Sequence, residues 1–200
     1  MSLGFVRPAR PADASEIARI QLATWRIAYR TMLPASIIAG LDESWMADQW
    51  REAITAPPTP RHRVLIAIEQ AGRGSDEQDH VVGFAAAGPA DEAALAPEEK
   101  PLPEGTAAIT DMLIEPRWGR RGHGSRLLYA VVDLWREDGF DTAVAWAYDR
   151  DVATRKFLTS AGWALDGMTR SLDVDDLLVP QVRLHTTLAA DPAGEDQPLS

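Results

Sequence analysis

Two glycines, Gly122 and Gly124, stand beside Arg117, Arg120 and Arg121 in a chain whose formal net charge is −10. Leu127, Leu128, Val131, Leu134 and Trp135 follow at helical spacing, so a helix starts where the glycines stop. Its first turn carries unpaired N–H groups and a positive dipole end, which favour an anion and phosphate above all. Gly122 and Gly124 let the backbone turn tightly and approach another molecule without a Cβ in the way. Upstream, Ile109, Met112, Leu113 and Ile114 form a short apolar strand that Pro116 closes. Strand, basic glycine loop and helix together read as a receptor for a negatively charged group.

Two common phosphate loops do not fit. There is no GxxxxGK[ST], which excludes a P-loop nucleotide hydrolase. A dinucleotide GxGxxG needs glycine or alanine where Leu127 stands, and an acid at the end of the next strand, whereas Asp141 precedes that strand. The pattern that does fit is [QR]-x-x-G-x-[GA], and residues 109–128 resemble the acetyl-coenzyme A signature of the GCN5-related N-acetyltransferases (GNAT). The family's Gln or Arg falls on Gly119, with Arg120 and Arg121 next to it to supply charge. A second family motif, N-x-x-A-x-x-F-Y-x-x-x-G-[FW], is half present. Phe157, Gly162 and Trp163 match at the right spacing, whereas Asp151, Thr154 and Leu158 replace the asparagine, alanine and tyrosine.

The resemblance implies direct attack of a neutral amine on the thioester of acetyl-CoA, which serves as co-substrate without a metal. It maps the pantetheine arm onto the strand at Met112, Leu113 and Ile114. The pyrophosphate maps onto the N–H groups of Arg120, Arg121, Gly122, His123, Gly124 and Ser125. His123 stands where the family has an apolar residue; its side chain either reaches a phosphate or lies on the surface. With Leu158 in the tyrosine position, Tyr148 is the candidate substitute acid for the departing thiolate, with protonation by water as the alternative. Strict alternation puts Asp111, Leu113 and Glu115 on one face of the strand, and Thr110, Met112 and Ile114 on the other. The family's strand glutamate would share the face of Ala108 and Thr110, so Asp111 is the candidate base by proximity, or else a strand-end residue bonded to backbone. In the family, the opening helices wall the acceptor site. That makes Trp25 and Tyr29 candidate acceptor-binding residues, with packing in the core as the other reading.

The elements needed to position these groups can be read in order. Two hundred residues, 46% hydrophobic and 25% charged, suit one globular domain. Leu3–Arg7 is a first strand, and Pro11 opens a helix with two stripes: Ile17, Ile20, Thr24 and Ile27, then Leu22, Trp25 and Tyr29. Pro34 interrupts, Gly40 stops, and a second helix runs from about Asp42 to Ile54. Arg63–Glu69 and Val81–Gly88 form a hairpin across the polar turn AGRGSDEQDH. Residues 89–105, rich in alanine, proline and acid, read as a mobile loop or short lid. Beyond the long helix come a strand over Thr142–Tyr148, a helix over 150–161 and strands over Ala164–Leu172 and Gln181–Leu188. Parallel strands joined through the helix of residues 122–138 require a right-handed crossover.

The expected fold is an α/β (α+β) single-domain acyl-CoA N-acyltransferase fold over residues 1–190, with a mixed sheet of about six to seven strands and about four helices. Residues 191–200 read as a polar, disordered tail. The chain has no cysteine, and His62, His80, His123 and His185 lack metal spacing. No signal core or membrane span is evident, so a cytoplasmic protein with no membrane partner is expected. The acidity argues against nucleic acid, and suits both solubility and an amine-bearing partner, a small molecule or peptide. A homodimer is a family-level expectation. Two functions stand at this point: N-acetyltransferase, and a non-catalytic acyl-CoA-binding module suggested by Leu158 and the missing strand glutamate.

Overall fold

The computed structural model describes residues 3–32, 34–71, 78–174 and 177–188. The expected tail at 191–200 and the centre of the first hairpin turn lie outside the described residues. Seven strands form one sheet: β1 (Leu3–Pro8), β2 (Arg63–Ala71), β3 (Gln78–Pro89), β4 (Thr106–Ile114), β5 (Thr142–Tyr148), β6 (Ala164–Val174) and β7 (Leu177–Thr187). Their spatial order is β1-β2-β3-β4-β5-β7-β6. Neighbours run antiparallel except at the centre, where β4 and β5 are parallel. The crossover between those two is the long amphipathic helix, as the strand–loop–helix–strand reading requires.

Five α-helices occur among the described residues: α1 (Ala14–Ala28), α2 (Ala35–Gly40), α3 (Glu43–Thr55), α4 (His123–Glu137) and α5 (Val152–Ser160). The sequence reading has no counterpart for α2, because six residues between Pro34 and Gly40 are too few to display a period. Asp42 starts α3 by accepting from the N–H groups of Ser44 and Trp45, and Asp151 starts α5 by accepting from Thr154 N–H. On one face of the sheet, Ile17 and Ile20 of α1 pack on Ile66, Ile68 and Phe84. On the other, Leu127, Leu128, Val131 and Trp135 of α4 cover Leu65, Ala67, Val82 and Ala85. Ile27, expected in the buried stripe of α1, is 60% exposed because that stripe leaves the sheet in the helix's last turn.

The loop between β3 and β4 is not the mobile lid expected from its composition. Arg183 of β7, 3% exposed, holds Glu99 with two nitrogens at 2.7 Å each and donates to the carbonyl of Ala94. Its Nε also pairs with Asp166 at 2.7 Å. Trp146 of β5 donates its indole N–H to the same Ala94 carbonyl at 3.0 Å. Ala94 packs on Ala108 and Val144. A buried guanidinium with two carboxylates fixes the loop, a partnership between residues 84 positions apart that local composition could not reveal.

Candidate active site

The site begins where the two parallel strands separate. β4 and β5 are paired from Thr106–Thr142 to Ile109–Ala145 and not beyond. A register shift opposite Ala86 and Ala87 gives β4 one extra residue, Thr110, whose hydroxyl donates to the Ala86 carbonyl at 3.1 Å. Such a bulge bends its strand and reverses the alternation of side chains past it. Among the described residues, the backbone edge of Met112, Leu113 and Ile114 toward β5 has no strand partner, while their other edge pairs with β3.

The bulge also corrects the strand faces expected from strict alternation. Ala108 packs with Val144 on the face covered by the β3–β4 loop, and Ile109 packs against α4. After Thr110, Met112 and Ile114 are again on the α4 side, and Leu113 packs on Tyr29 and Tyr148. Asp111 thus falls on the face of Ala108, where the expected strand glutamate would point. Glu115 does not continue this face; it lies past the strand end, 7% exposed, between Arg19 at 3.0 Å and Arg117 at 2.9 Å.

Asp111, Tyr148, Tyr29 and Asp151 gather on this side. The Tyr29 and Tyr148 rings meet edge to face with centroids 4.9 Å apart. The Tyr29 hydroxyl donates to Asp151 Oδ2 at 3.4 Å. Asp111 is half-buried, and desolvation raises its carboxyl to about 7. Tyr148 titrates above its ordinary range, through burial first and then the negative charge of Asp111. Tyr29 is raised by burial and by Asp151. Trp25 is half-buried in the same cluster, beside Val179 of β7. Leu158, the residue in the family's tyrosine position, is 3% exposed inside the main core and offers no proton.

After β4 the chain turns through Pro116–Trp118 and enters the glycine loop. Arg120 has φ +61° and Gly122 φ +81°, so two left-handed residues turn the backbone into α4. Arg126 is the first residue of the helix with a backbone acceptor, the Gly122 carbonyl at 3.0 Å. Among the described residues, the N–H groups from Arg120 to Ser125 have no backbone acceptor. Gly122 is required by its own φ. Gly124 is not: its φ is not left-handed, and a Cβ there would meet Phe157 at an ordinary 3.5 Å. The fold therefore leaves room for a side chain at 124.

The side chains of this loop are arranged differently from expectation. His123 is not on the surface; its side chain turns inward. It is 1% exposed, with Nε2 3.1 Å from Glu69 Oε2 and its ring edge-on to Trp118. Burial lowers the affinity of its imidazole for a proton, against the pull of Glu69. Arg121 stacks its guanidinium over Trp118 at 4.8 Å. Arg120 and Ser125 are exposed. Sequence reasoning missed Glu69 and Trp118 as supports of the loop; the acid that directly follows the continuous apolar run Val64–Ile68 of β2 is the signal that could have found the first.

Comparison with known proteins agrees with this geometry. Residues 30–163 match the acetyltransferase (GNAT) family. The chain is 26% identical over 146 residues to the uncharacterized N-acetyltransferase YuaI of Bacillus subtilis (strain 168), which covers 73% of this chain and 72% of that protein. Among solved structures, yncA from Salmonella typhimurium, determined with its cofactor acetyl-CoA, superposes with a TM-score of 0.63 at 17% identity, over 95% of this chain and 96% of that one. A GCN5-related N-acetyltransferase from Kribbella flavida gives 0.62 at 18% identity, over 92% and 97%. With its seven-stranded mixed sheet, parted central strands and matched family residues, this chain belongs to the acetyltransferase (GNAT) family, as an acetyl-CoA-dependent N-acetyltransferase.

Proposed function

We propose that the acetyl group passes directly from acetyl-CoA to a primary amine of a small molecule or peptide in the opening between β4 and β5. The observation that carries this reading is the open edge of β4 leading into the unpartnered amides of Arg120 to Ser125. The amides of Arg120, Arg121, Gly122, His123, Gly124 and Ser125 take the pyrophosphate, and the Met112–Ile114 edge takes the pantetheine arm as an added strand would be taken. Trp25 and Tyr29 wall the acceptor.

In this reading Asp111 is the general base. With its carboxyl at about 7, it is poised to take a proton from an ammonium at neutral pH. The freed amine nitrogen attacks the thioester carbonyl carbon, the C–N bond forms, and the C–S bond breaks with its electron pair going to sulfur. Tyr148, whose pKa burial raises, donates a proton to the thiolate and recovers one, through water, from the nitrogen, which sheds its second proton as it becomes the amide. A backbone N–H of the open β4 edge supports the carbonyl oxygen as it gains charge. A homodimer is supported by exposed Leu165, Met168, Leu177 and Leu178 on the β6–β7 edge. A cytoplasmic setting fits a cysteine-free chain in which no described helix is long and apolar enough to cross a membrane.

The test is calorimetric titration with acetyl-CoA of the intact protein and of a Ser125→Glu variant. Ser125 is exposed in the first turn of α4, where a carboxylate favours the helix but competes with a phosphate. The expected result is retained stability with acetyl-CoA binding weakened at least tenfold. Equal binding by both proteins would remove the cofactor from this loop. An acetyl-transfer screen over amines then separates turnover from binding alone.

A further inference from the structure

Arg183 and Arg170 both lie over the indole of Trp146, at 5.5 and 4.2 Å from its centroid, yet their electrostatic partners differ. Arg183 is neutralised by Glu99 and Asp166. Among the described residues, Arg170 has only neutral hydrogen-bond partners: Nε donates to Gln181 Oε1 at 2.7 Å and Nη1 to the carbonyl of Ala93. Its Nη2 has no partner among the described residues. Half-burying a guanidinium without a carboxylate is unfavourable, and burial lowers its affinity for its proton.

Its position in the sheet is specific. Tyr148 pairs with Gln181, and Gln181 pairs with Arg170, so the three side chains stand in one row on one face. Two strand spacings, about 10 Å, separate the Cα atoms of Tyr148 and Arg170. The positive charge of the guanidinium is felt at the Tyr148 hydroxyl, as are the negative charges of Asp111 and Asp151. Asp111 acts on the Tyr148 end of this row, and at its other end stands a cation with no carboxylate partner among the described residues. An ammonium suits the first end and an oxyanion the other.

We propose that Arg170 is the anion seat of the acceptor pocket, and that the acceptor is a zwitterion, a primary amine carrying a carboxylate on the same molecule. This rests on the reading that the acceptor lies on the Asp111–Tyr148 face. The amine faces Asp111; the carboxylate takes the free Nη2 edge of Arg170, which Trp146, Gln181 and Ala93 hold in plane. A neutral amine of the same shape would leave the guanidinium desolvated and unpaired.

The test compares free amino acids, α and ω, with their carboxamides as acceptors for the intact enzyme, Arg170→Gln and Arg170→Lys. The acid member of at least one pair should be preferred about tenfold or more in kcat/KM, mainly through KM. That ratio should fall toward one in Arg170→Gln and partly return in Arg170→Lys. Calorimetry of an N-acetyl amino acid against its amide, on the intact enzyme, reads the same seat without turnover or substitution. Acetylation with no preference for the acid, or a preference unchanged in Arg170→Gln, overturns the seat and leaves the transferase reading standing. Carboxylate-dependent binding with no acetylation of any amine preserves the seat and overturns transfer. If Arg170→Gln lowers stability but leaves the acid-to-amide ratio intact, Arg170 only clamps the loop at Ala93, and the proposal fails.

Discussion

Tyr29, at the end of α1, and Tyr148, at the end of β5, meet edge to face with ring centroids 4.9 Å apart, although 118 positions of chain lie between them. The contact joins an opening helix to the parted central strand and fixes the orientation of both hydroxyls. Tyr148→Phe keeps the packing and removes one hydroxyl. We expect the melting temperature to change little and kcat for acetyl transfer to fall by about a hundredfold. An undiminished kcat would assign thiolate protonation to water.

Asp111 gives a pH signature of definite sign. As a base it must be ionised, so kcat/KM should rise with pH and reach half its plateau near pH 7, a limb that Asp111→Asn abolishes. Stability should run the other way. The native carboxyl keeps its proton from about pH 4, where the unfolded chain loses it, up to about 7, so stability falls as pH rises across that window. Asp111→Asn should therefore be more stable than the parent at pH 8, by up to about 4 kcal/mol. Near pH 4 the two should melt together, as thermal melts at both pH values would show.

Gly122 and Gly124 should respond oppositely to alanine. Gly122→Ala forces a Cβ into a left-handed conformation and should cost about 1–2 kcal/mol. Gly124→Ala places a Cβ at a helical position with room for it and should stabilise the apo protein, by at most about 1 kcal/mol. Denaturant melts of the two variants without ligand separate backbone strain from ligand fit.

Arg183 holds the β3–β4 loop. Arg183→Met leaves Glu99 and Asp166 facing one another without their cation, and should lower stability by about 3 kcal/mol. Proteolysis between Ala90 and Gly105 should speed up in parallel. Loss of stability without faster cleavage would show that the loop is held by Ala94, Ala108 and Val144 instead.

The local elements were legible in the chain because each carries its own signal. Thr142–Tyr148 was delimited by its apolar run, α4 by the glycines before it and its helical stripe after, and the β2–β3 hairpin by its polar turn. The glycine turn with its unbonded amides was legible as well, since orphan amides and glycine freedom depend on residues next to one another. What could not be read locally was every relation carried by distant partners. A bulge at Thr110, set by pairing with Ala86 and Ala87, decides which face Asp111 takes, because one extra residue reverses all side chains beyond it. His123 faces inward where Glu69 of β2 lies 3.1 Å from its Nε2, a partner 54 positions earlier in the chain. The row Tyr148–Gln181–Arg170 exists only after β7 inserts between β5 and β6. Type and spacing determine what a segment can form, whereas register and burial, which depend on the whole sheet closing at once, determine which groups face one another.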